Sequence, residues 1–246
     1  SASEPEASAL LATTFADEAI QVLTGREITG VDCVGDRFEI SLGSGAVEAE
    51  RLLVASGRTS NLDDIGLETV GLDPTMATID CDEHVRVADG LWAIGDITGK
   101  GAYTHIAHYQ AAIAVSAILD DGGAQEADYR AVPNVTFTDP EIGSVGMTEA
   151  AAREAGLRVR VGRADLAASP RGWVHGPGNA GLAKVVEDAE SSVLVGATVA
   201  GPRAGELLGQ LTLAVHAGVP TASLDTMIYA FPTFYEVVGR AIDDLH

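Results

Sequence analysis

The sequence predicts an α/β segment followed by an α+β domain with a mostly antiparallel sheet. Three observations carry this reading. Before residue 60, one helical stretch is followed by short apolar runs split by Gly-rich turns. A buried-looking run ends in Gly95-Asp96 and leads through a Gly-rich loop into a long helix. Beyond residue 130, five candidate strands are interspersed with three helices.

In order, residues 7–22 place Leu10, Leu11, Phe15, Ala19 and Ile20 at helical spacing, with Gly25 closing the segment. Residues 28–33, 37–42 and 47–54 read as strands. The third ends Arg51-Leu52-Leu53-Val54-Ala55, a continuous apolar run of the kind expected in a strand covered on both faces. A polar loop, Ser56-Gly57-Arg58-Thr59-Ser60-Asn61, follows, and residues 61–82 are irregular. Residues 91–94 read as a short buried strand. Residues 104–119 read as a helix with core positions Ile106, Ala107, Ile113, Ala114, Ala117 and Ile118, stopped by Asp120-Asp121-Gly122-Gly123.

A domain boundary is expected near residues 122–130. Past it, residues 134–138, 141–147, 157–161, 181–187 and 192–199 read as strands, and 148–155, 204–217 and 233–243 as helices on one face of their sheet. Residues 169–178 read as a loop, with Trp173 as an interface anchor or a lid. His216, inside an apolar helix, is expected to be packed.

Composition narrows the function. The chain has 246 residues, 36 acidic against 15 basic, and a formal charge of -21. A field of that sign repels phosphate backbones and anionic lipid, so neither nucleic acid nor a membrane surface is an expected partner. No apolar run is long enough to span a bilayer. The first residues lack the features of a secretion signal. The two cysteines, Cys33 and Cys81, stand in no metal-ligand or C-x-x-C spacing. They read as small buried or half-buried residues of a protein from a reducing cytoplasm. His105 and His108 share one helix, but no third ligand accompanies them, so no metal site is expected there.

The chemistry points to Ala93-Ile94-Gly95-Asp96. A strand ending in Gly-Asp puts a carboxylate at the carboxyl edge of a sheet, where open α/β folds bind ligands. Glycine permits close approach of a ligand to the backbone. The helix that opens at Thr104 offers free N–H groups to an electron-rich atom.

Together with Val54-Ala55-Ser56-Gly57-Arg58-Thr59-Ser60-Asn61, this motif resembles two signatures of the pyridine nucleotide-disulfide oxidoreductases, the flavoproteins with two dinucleotide-binding domains. Gly57, Arg58 and Asn61 match the crossing from the NAD(P)H domain to the FAD domain, with Ser60 in place of the usual Pro. Gly95 and Asp96 match the motif whose Asp holds the FAD ribitol. Residues 80–86 resemble the strand and turn before that motif. Thr104, His105, Ile106 and Ala107 fall where the family's backbone meets the pyrimidine end of the flavin. Residues 133–150 resemble the start of the family's dimerisation domain.

The resemblance implies a Rossmann-like remnant followed by a dimerisation domain. Residues 1–57 would be the second half of an NAD(P)H-binding domain, 58–123 the end of an FAD-binding domain, and 124–246 the dimerisation domain. It implies FAD, shared with an N-terminal half, NAD(P)H as reductant, and a homodimer formed through 124–246. The one G-x-G-x-x-G, Gly176-Pro177-Gly178-Asn179-Ala180-Gly181, leads into a candidate strand instead of opening a helix, and no redox cysteine pair occurs in the chain, so tight FAD retention and activity by this chain alone are not expected.

One departure bears on the reaction. Disulfide-reducing members carry a catalytic His, followed by Pro-Thr and an orienting Glu. Here Pro232, Thr233 and Glu236 match, and Phe231 stands where the His belongs. A phenyl ring has no lone pair and cannot act as a general base. The expected electron acceptor is a disulfide, a quinone or another acceptor, and Phe231 shifts the expectation toward a quinone, a metal or another non-dithiol oxidant. The alternative is a non-catalytic dimerisation or interaction module. Tyr229 and Tyr235 are the neighbouring groups that could move a proton in place of the His, if strongly perturbed.

Overall fold

The computed structural model describes residues 3–119 and 125–246. The expected helix stop at residues 120–123 lies outside the described residues. The chain forms two compact units. One comprises residues 15–77, and the other joins the N-terminal segment through Thr14 to residues 78–246. Among the described residues, no helix is long and apolar enough to cross a membrane.

Helix α1 (Pro5–Asp17) ends earlier than its apolar spacing suggests. Ile20, Val22 and Leu23 lie outside it and are exposed, so nothing rewards continuing the helix through them. In the 15–77 unit, β1 (Ile28–Val34), β2 (Arg37–Leu42) and β3 (Gly45–Ala49) form an antiparallel meander in that order.

The expected buried strand at residues 51–55 is not formed. Leu53 is 91% exposed and Val54 71%. A continuous apolar run becomes a buried strand only when neighbours pair with it and layers cover it. Among the described residues no strand does so.

In the larger unit, β4 (Arg86–Ala88) and β5 (Leu91–Trp92) form a short ribbon. The strand expected over 91–94 is only two residues long, because Ile94 turns outward beside Gly95. Helix α2 (Thr104–Leu119) has the expected limits. Its core positions are Ile106, Gln110, Ile113 and Ala114, whereas Ile118 is exposed.

The dimerisation-like region is a five-stranded antiparallel sheet of order β6-β7-β10-β9-β8, from β6 (Pro133–Thr136), β7 (Glu141–Gly146), β8 (Val159–Asp165), β9 (Leu182–Asp188) and β10 (Val193–Gly201). Helix α3 (Glu149–Glu154) is N-capped by Thr148, whose side chain accepts from the Ala151 N–H. Residues 169–178 are not all loop: α4 (Pro170–His175) starts there, with Ser169 as a buried N-cap and Pro at the first turn. Helix α5 (Ala204–Ala217) matches its predicted limits. A short helix, α6 (Thr221–Asp225), was not signalled by any periodic stretch. Helix α7 (Glu236–Asp243) begins later than expected.

Side-chain alternation explains the layers. Ala183 and Val185 of β9 and Ala197 and Val199 of β10 pack with Leu208, Leu211 and Val215 of α5 and Val237, Val238 and Ala241 of α7. The opposite face carries Ile142, Ala200 and Leu182, which meet Ala7, Leu10 and Leu11 of α1. Helices therefore cover both faces rather than one. Close approach of α7 to β8 needs Gly162, since a Cβ there would lie 1.8 Å from the Ala241 carbonyl oxygen. The α5 stripe is spent on this core, and His216 lies off it, exposed in the last turn.

Lys184 sits on the α1 face of β9 and is buried, its side chain 2% exposed. Its Nζ lies 2.7 Å from Glu4, 3.0 Å from Glu6 and 2.9 Å from Glu149. Burial pulls the ammonium pKa down, but hydrogen bonds to Glu4, Glu149 and Glu6 outweigh it and hold the value above its ordinary range. Arg163 extends the cluster to Glu6 and Glu149. A buried ion is tolerable only when so surrounded.

Candidate functional site

Gly95 has φ of 82° and ψ of -156°, a conformation that side-chain-bearing residues rarely adopt. It opens a single 3-10 turn, Asp96–Thr98, closed by Gly99 in the left-handed region. The turn is clamped from α2 by Gln110, which is fully buried. The Gly95 N–H donates to Gln110 Oε1 at 2.6 Å, and Gln110 Nε2 donates to Thr98 Oγ1 at 3.0 Å and to the Tyr129 hydroxyl at 2.9 Å. The Thr98 hydroxyl in turn donates to the Gly95 carbonyl at 2.8 Å. Every hydrogen-bonding direction of the Gln110 amide but one lone pair is used.

This clamp holds the backbone and leaves the Asp96 side chain outside it. Asp96 is exposed, and among the described residues its carboxylate has no protein partner. An unpaired carboxylate on a rigidly held turn is available to accept hydrogen bonds from a polyol.

The start of α2 is more restricted than the sequence suggests. The N–H groups of Ile106 and Ala107 both return to the Tyr103 carbonyl, at 3.0 and 3.3 Å, and the Ile106 side chain is buried. Among the described residues, the first-turn N–H groups of Thr104 and His105 have no hydrogen-bond partner. The His105 ring stacks on Tyr103 with centroids 5.1 Å apart, and its Nε2 lies 2.9 Å from the Pro133 carbonyl. A carbonyl only accepts, so this ring nitrogen carries the proton. Thr104 and His105 also line a cavity of about 570 Å³ with Asn134, Val135, Gly205 and Leu208.

Gly57 and Arg58 belong to the 15–77 unit and are both exposed, Gly57 with φ of 126°. Ser60, which replaces the usual Pro of this signature, donates its hydroxyl to the Ala77 carbonyl at 2.7 Å. It ties the loop by a hydrogen bond instead of a ring.

In the Tyr229–Glu236 segment, Phe231 is 72% exposed. The loop around it is pinned: the Tyr235 hydroxyl accepts from the Ala230 N–H at 2.7 Å, and Thr233 donates to the Ala230 carbonyl at 2.6 Å. Glu236 opens α7. Its Oε1 meets Arg240 at 3.0 Å, while its Oε2 is buried without a hydrogen-bond partner among the described residues. Neither tyrosine is set up as a substitute base. Burial pushes the Tyr229 phenol further above its ordinary value, and its hydroxyl is spent on the Leu224 carbonyl at 3.0 Å. The Tyr235 hydroxyl is the one holding Ala230.

Cys33 is exposed rather than packed, because it lies on the uncovered β1. Cys81 is half-buried, and burial raises its thiol pKa, which disfavours the reactive thiolate. The sequence does not signal Gln110 or Lys184. Neither stands in a motif, and a polar residue between apolar ones reads as an outward-facing position.

Comparison with known proteins assigns the fold to a class of enzymes. The family model for pyridine nucleotide-disulphide oxidoreductase matches residues 1–114, and the model for the same family's dimerisation domain matches residues 132–242. The chain belongs to the pyridine nucleotide-disulphide oxidoreductase family. It is similar to dihydrolipoyl dehydrogenase of Chlamydia muridarum, 32% identical over 95% of this chain and 50% of the relative. It is also similar to dihydrolipoyl dehydrogenase of Thermus scotoductus, 33% identical over 100% of this chain and 54% of the relative. The chain thus spans about half the length of the curated relatives it matches. In fold it resembles the crystal structure of LpdA from Mycobacterium tuberculosis, with a TM-score of 0.88 and 24% identity over 98% of this chain and 52% of that one. It likewise resembles an HOCl-induced flavoprotein disulfide reductase from Escherichia coli, with a TM-score of 0.84 and 24% identity over 99% of this chain and 55% of that one.

Proposed function

We propose that this chain is the carboxy-terminal half of an FAD-dependent NAD(P)H oxidoreductase whose electron acceptor is not a dithiol or disulfide. The observation that carries the acceptor part is Phe231, exposed at the position of the family's base, beside a Glu236 whose buried oxygen has no ring nitrogen to orient. The domains are read as 1–57 for NAD(P)H, 58–123 for FAD and 124–246 for dimerisation.

FAD, when bound, supplies the hydride-accepting ring that links NAD(P)H to the acceptor. The chain's own residues would hold it. Asp96 accepts from ribitol hydroxyls, and Gly95 lets the backbone come close. Thr104 and His105 offer N–H groups to the pyrimidine end, and Gly57 and Arg58 lie at the crossing between nucleotide domains. Ile106 and Ala107 support the site through backbone shape rather than free donors. The residues fit this task because the Gln110 clamp fixes the backbone of the Gly95 turn, while the Asp96 carboxylate it carries is exposed and unpaired among the described residues. Without a pyrophosphate cradle, the chain alone would retain FAD weakly.

A homodimer through 124–246 is part of the reading. Phe137 is 84% exposed, Trp173 82% and Ile228 93%, and with Phe231 and Leu213 they are the side chains a second copy would cover. A cytoplasmic location goes with the free thiols.

The test uses the full-length protein and separates two half-reactions. Stopped-flow bleaching of the flavin by NAD(P)H reports the first, and steady-state turnover of lipoamide, glutathione disulfide or a benzoquinone reports the second. The expected result is fast bleaching, with disulfide turnover lower by about 10²–10⁴-fold than in His-bearing relatives, and faster quinone turnover. Disulfide turnover at the rate of those relatives would overturn the acceptor assignment.

A further inference from the structure

Away from the Gly95 turn, the segment before β4 gathers a different set of donors. Glu83, His84 and Glu126 each present one ligand-type atom, an imidazole nitrogen and two carboxylate oxygens, and the three atoms lie within 4.8 Å of one another. Nδ1 of His84 is closed off from solvent and has no hydrogen-bond partner among the described residues. Neither carboxylate forms an ion pair or hydrogen bond with the ring among the described residues. Three donors therefore converge without satisfying one another, and a buried unpaired nitrogen is costly.

The backbone holds them there. Asp82 Oδ1 accepts from the N–H groups of His84 and Arg86, at 2.9 and 2.8 Å. Val85, between them, is fully buried at φ of 54°, a left-handed conformation that a β-branched residue avoids unless its surroundings impose it. The Ala127 N–H donates to the Glu83 carbonyl at 2.7 Å, which fixes Glu126 beside the turn. The turn and the 126–127 segment are thus two backbone pieces joined at the point where the donors meet.

We propose that Glu83, His84 and Glu126 bind a borderline divalent metal ion of the Zn²⁺ class and clip residues 125–127 to the turn before β4. The donor set is one nitrogen and two carboxylates with no thiolate, which suits Zn²⁺ and its neighbours rather than Cu⁺ or an iron–sulfur cluster. Ligands about 2.0–2.2 Å from such an ion lie roughly 3–3.6 Å from each other. Glu83 and Glu126 are exposed and have the rotamer freedom to close that last distance. Water would complete the coordination. The formal charge of -21 favours any cation near this surface. Sequence spacing gives no hint of the site, because Glu126 is remote from the adjacent pair.

The test is calorimetric titration of the chelator-treated chain with ZnCl₂, with CoCl₂ as a coloured probe. The expected result is one ion per chain, with affinity at least tenfold weaker in His84→Ala and in Glu126→Gln, and unchanged in His108→Ala, which removes an exposed histidine elsewhere. Zinc should also raise Tm in the parent chain and not in Glu126→Gln. In ¹⁵N-labelled protein, one imidazole should shift on zinc addition, and that signal should be missing from His84→Ala. Glu126→Gln removes only an exposed charge, so it decides the matter if His84→Ala fails to fold. Absence of saturable binding, or equal binding by Glu126→Gln, would overturn the proposal.

Discussion

Two of the antiparallel sheets contain strands of the same length that end in different states. In β9, five of seven residues are buried; in β1, of seven residues, none is. Both contain β-branched residues, and both are paired along a ladder. What separates them is cover. Helices α5 and α7 lie on one face of β9 and α1 on the other, whereas Ile28, Val31 and Val34 of β1 are exposed. Strand propensity and pairing make a strand, but stability comes from the apolar area that a second layer removes from water.

The largest expected loss of stability in the covered sheet is at Lys184. Lys184→Ala would leave the buried Glu4 without its cation, beside Glu6 and Glu149, which are partly exposed and keep Arg163. Removing one member of a buried ion cluster typically costs about 3–5 kcal/mol, because the remaining charges lose their partner. The expected outcome is loss of hydrogen-exchange protection in β9 and β10, with the amides of β1 to β3 little changed. Replacing Lys184 and Glu4 together by Met and Leu should cost less than Lys184→Ala alone, since it removes charge as well as partner. If the double variant is the less stable of the two in urea unfolding, the network is not limited by desolvation.

A weaker perturbation of the same cluster is acid. The Glu6 carboxyl is pushed up by burial, but its hydrogen bond to Lys184 wins and holds it below the ordinary value of 4.5. The Glu149 carboxyl is lowered first by Lys184 and then by Arg153. A carboxylate lowered on folding contributes stability that is fully present above pH 4.5 and is lost as pH falls through its folded value. Lys184 is raised above 10.5, so its contribution is present below pH 10.5 and lost only as pH rises through the folded value. Tm should therefore show no contribution from this cluster to its slope between about pH 6 and 9, and should fall below pH 4.5. The fall should be shallower in Glu6→Gln. An identical acid limb in that variant would place the sensitivity elsewhere.

The contrast also explains what the sequence could reveal. Helices α2 and α5 are legible because each carries a sustained apolar pattern, and Gly218 in the left-handed region closes α5. The Gly95-Asp96 turn was legible because it is a local motif at a strand end. Gln110 was not, since its value comes from Thr98, Gly95 and Tyr129, which reach it only through the fold. Lys184 was not, since a strand lysine ordinarily marks the solvent face, and its partners Glu4 and Glu6 come from the far end of the chain. The run at 51–55 misled for the converse reason. Its apolar residues reported the demand for a covering layer, and a demand is not a layer.

The smallest expected effect lies in that run, and it sharpens the comparison most directly. Leu53 is 91% exposed, while Leu194, inside β10, is 2% exposed. Deleting a buried leucine side chain costs about 2–5 kcal/mol, so Leu194→Ala should destabilise by that order. Leu53→Ser should change stability by no more than about 0.5 kcal/mol, the range of an exposed position without special contacts. The same substitution should raise solubility, because an exposed apolar stretch outside any paired strand is a template for pairing with another chain. Urea unfolding at two protein concentrations, tenfold apart, reads both effects. If Leu53→Ser costs as much as Leu194→Ala at each concentration, the run is covered within a single chain, and exposure is not what distinguishes the two leucines. If the cost appears only at the higher concentration, a second copy supplies the cover, and the 51–55 run behaves as the buried strand its sequence describes once a neighbour is provided.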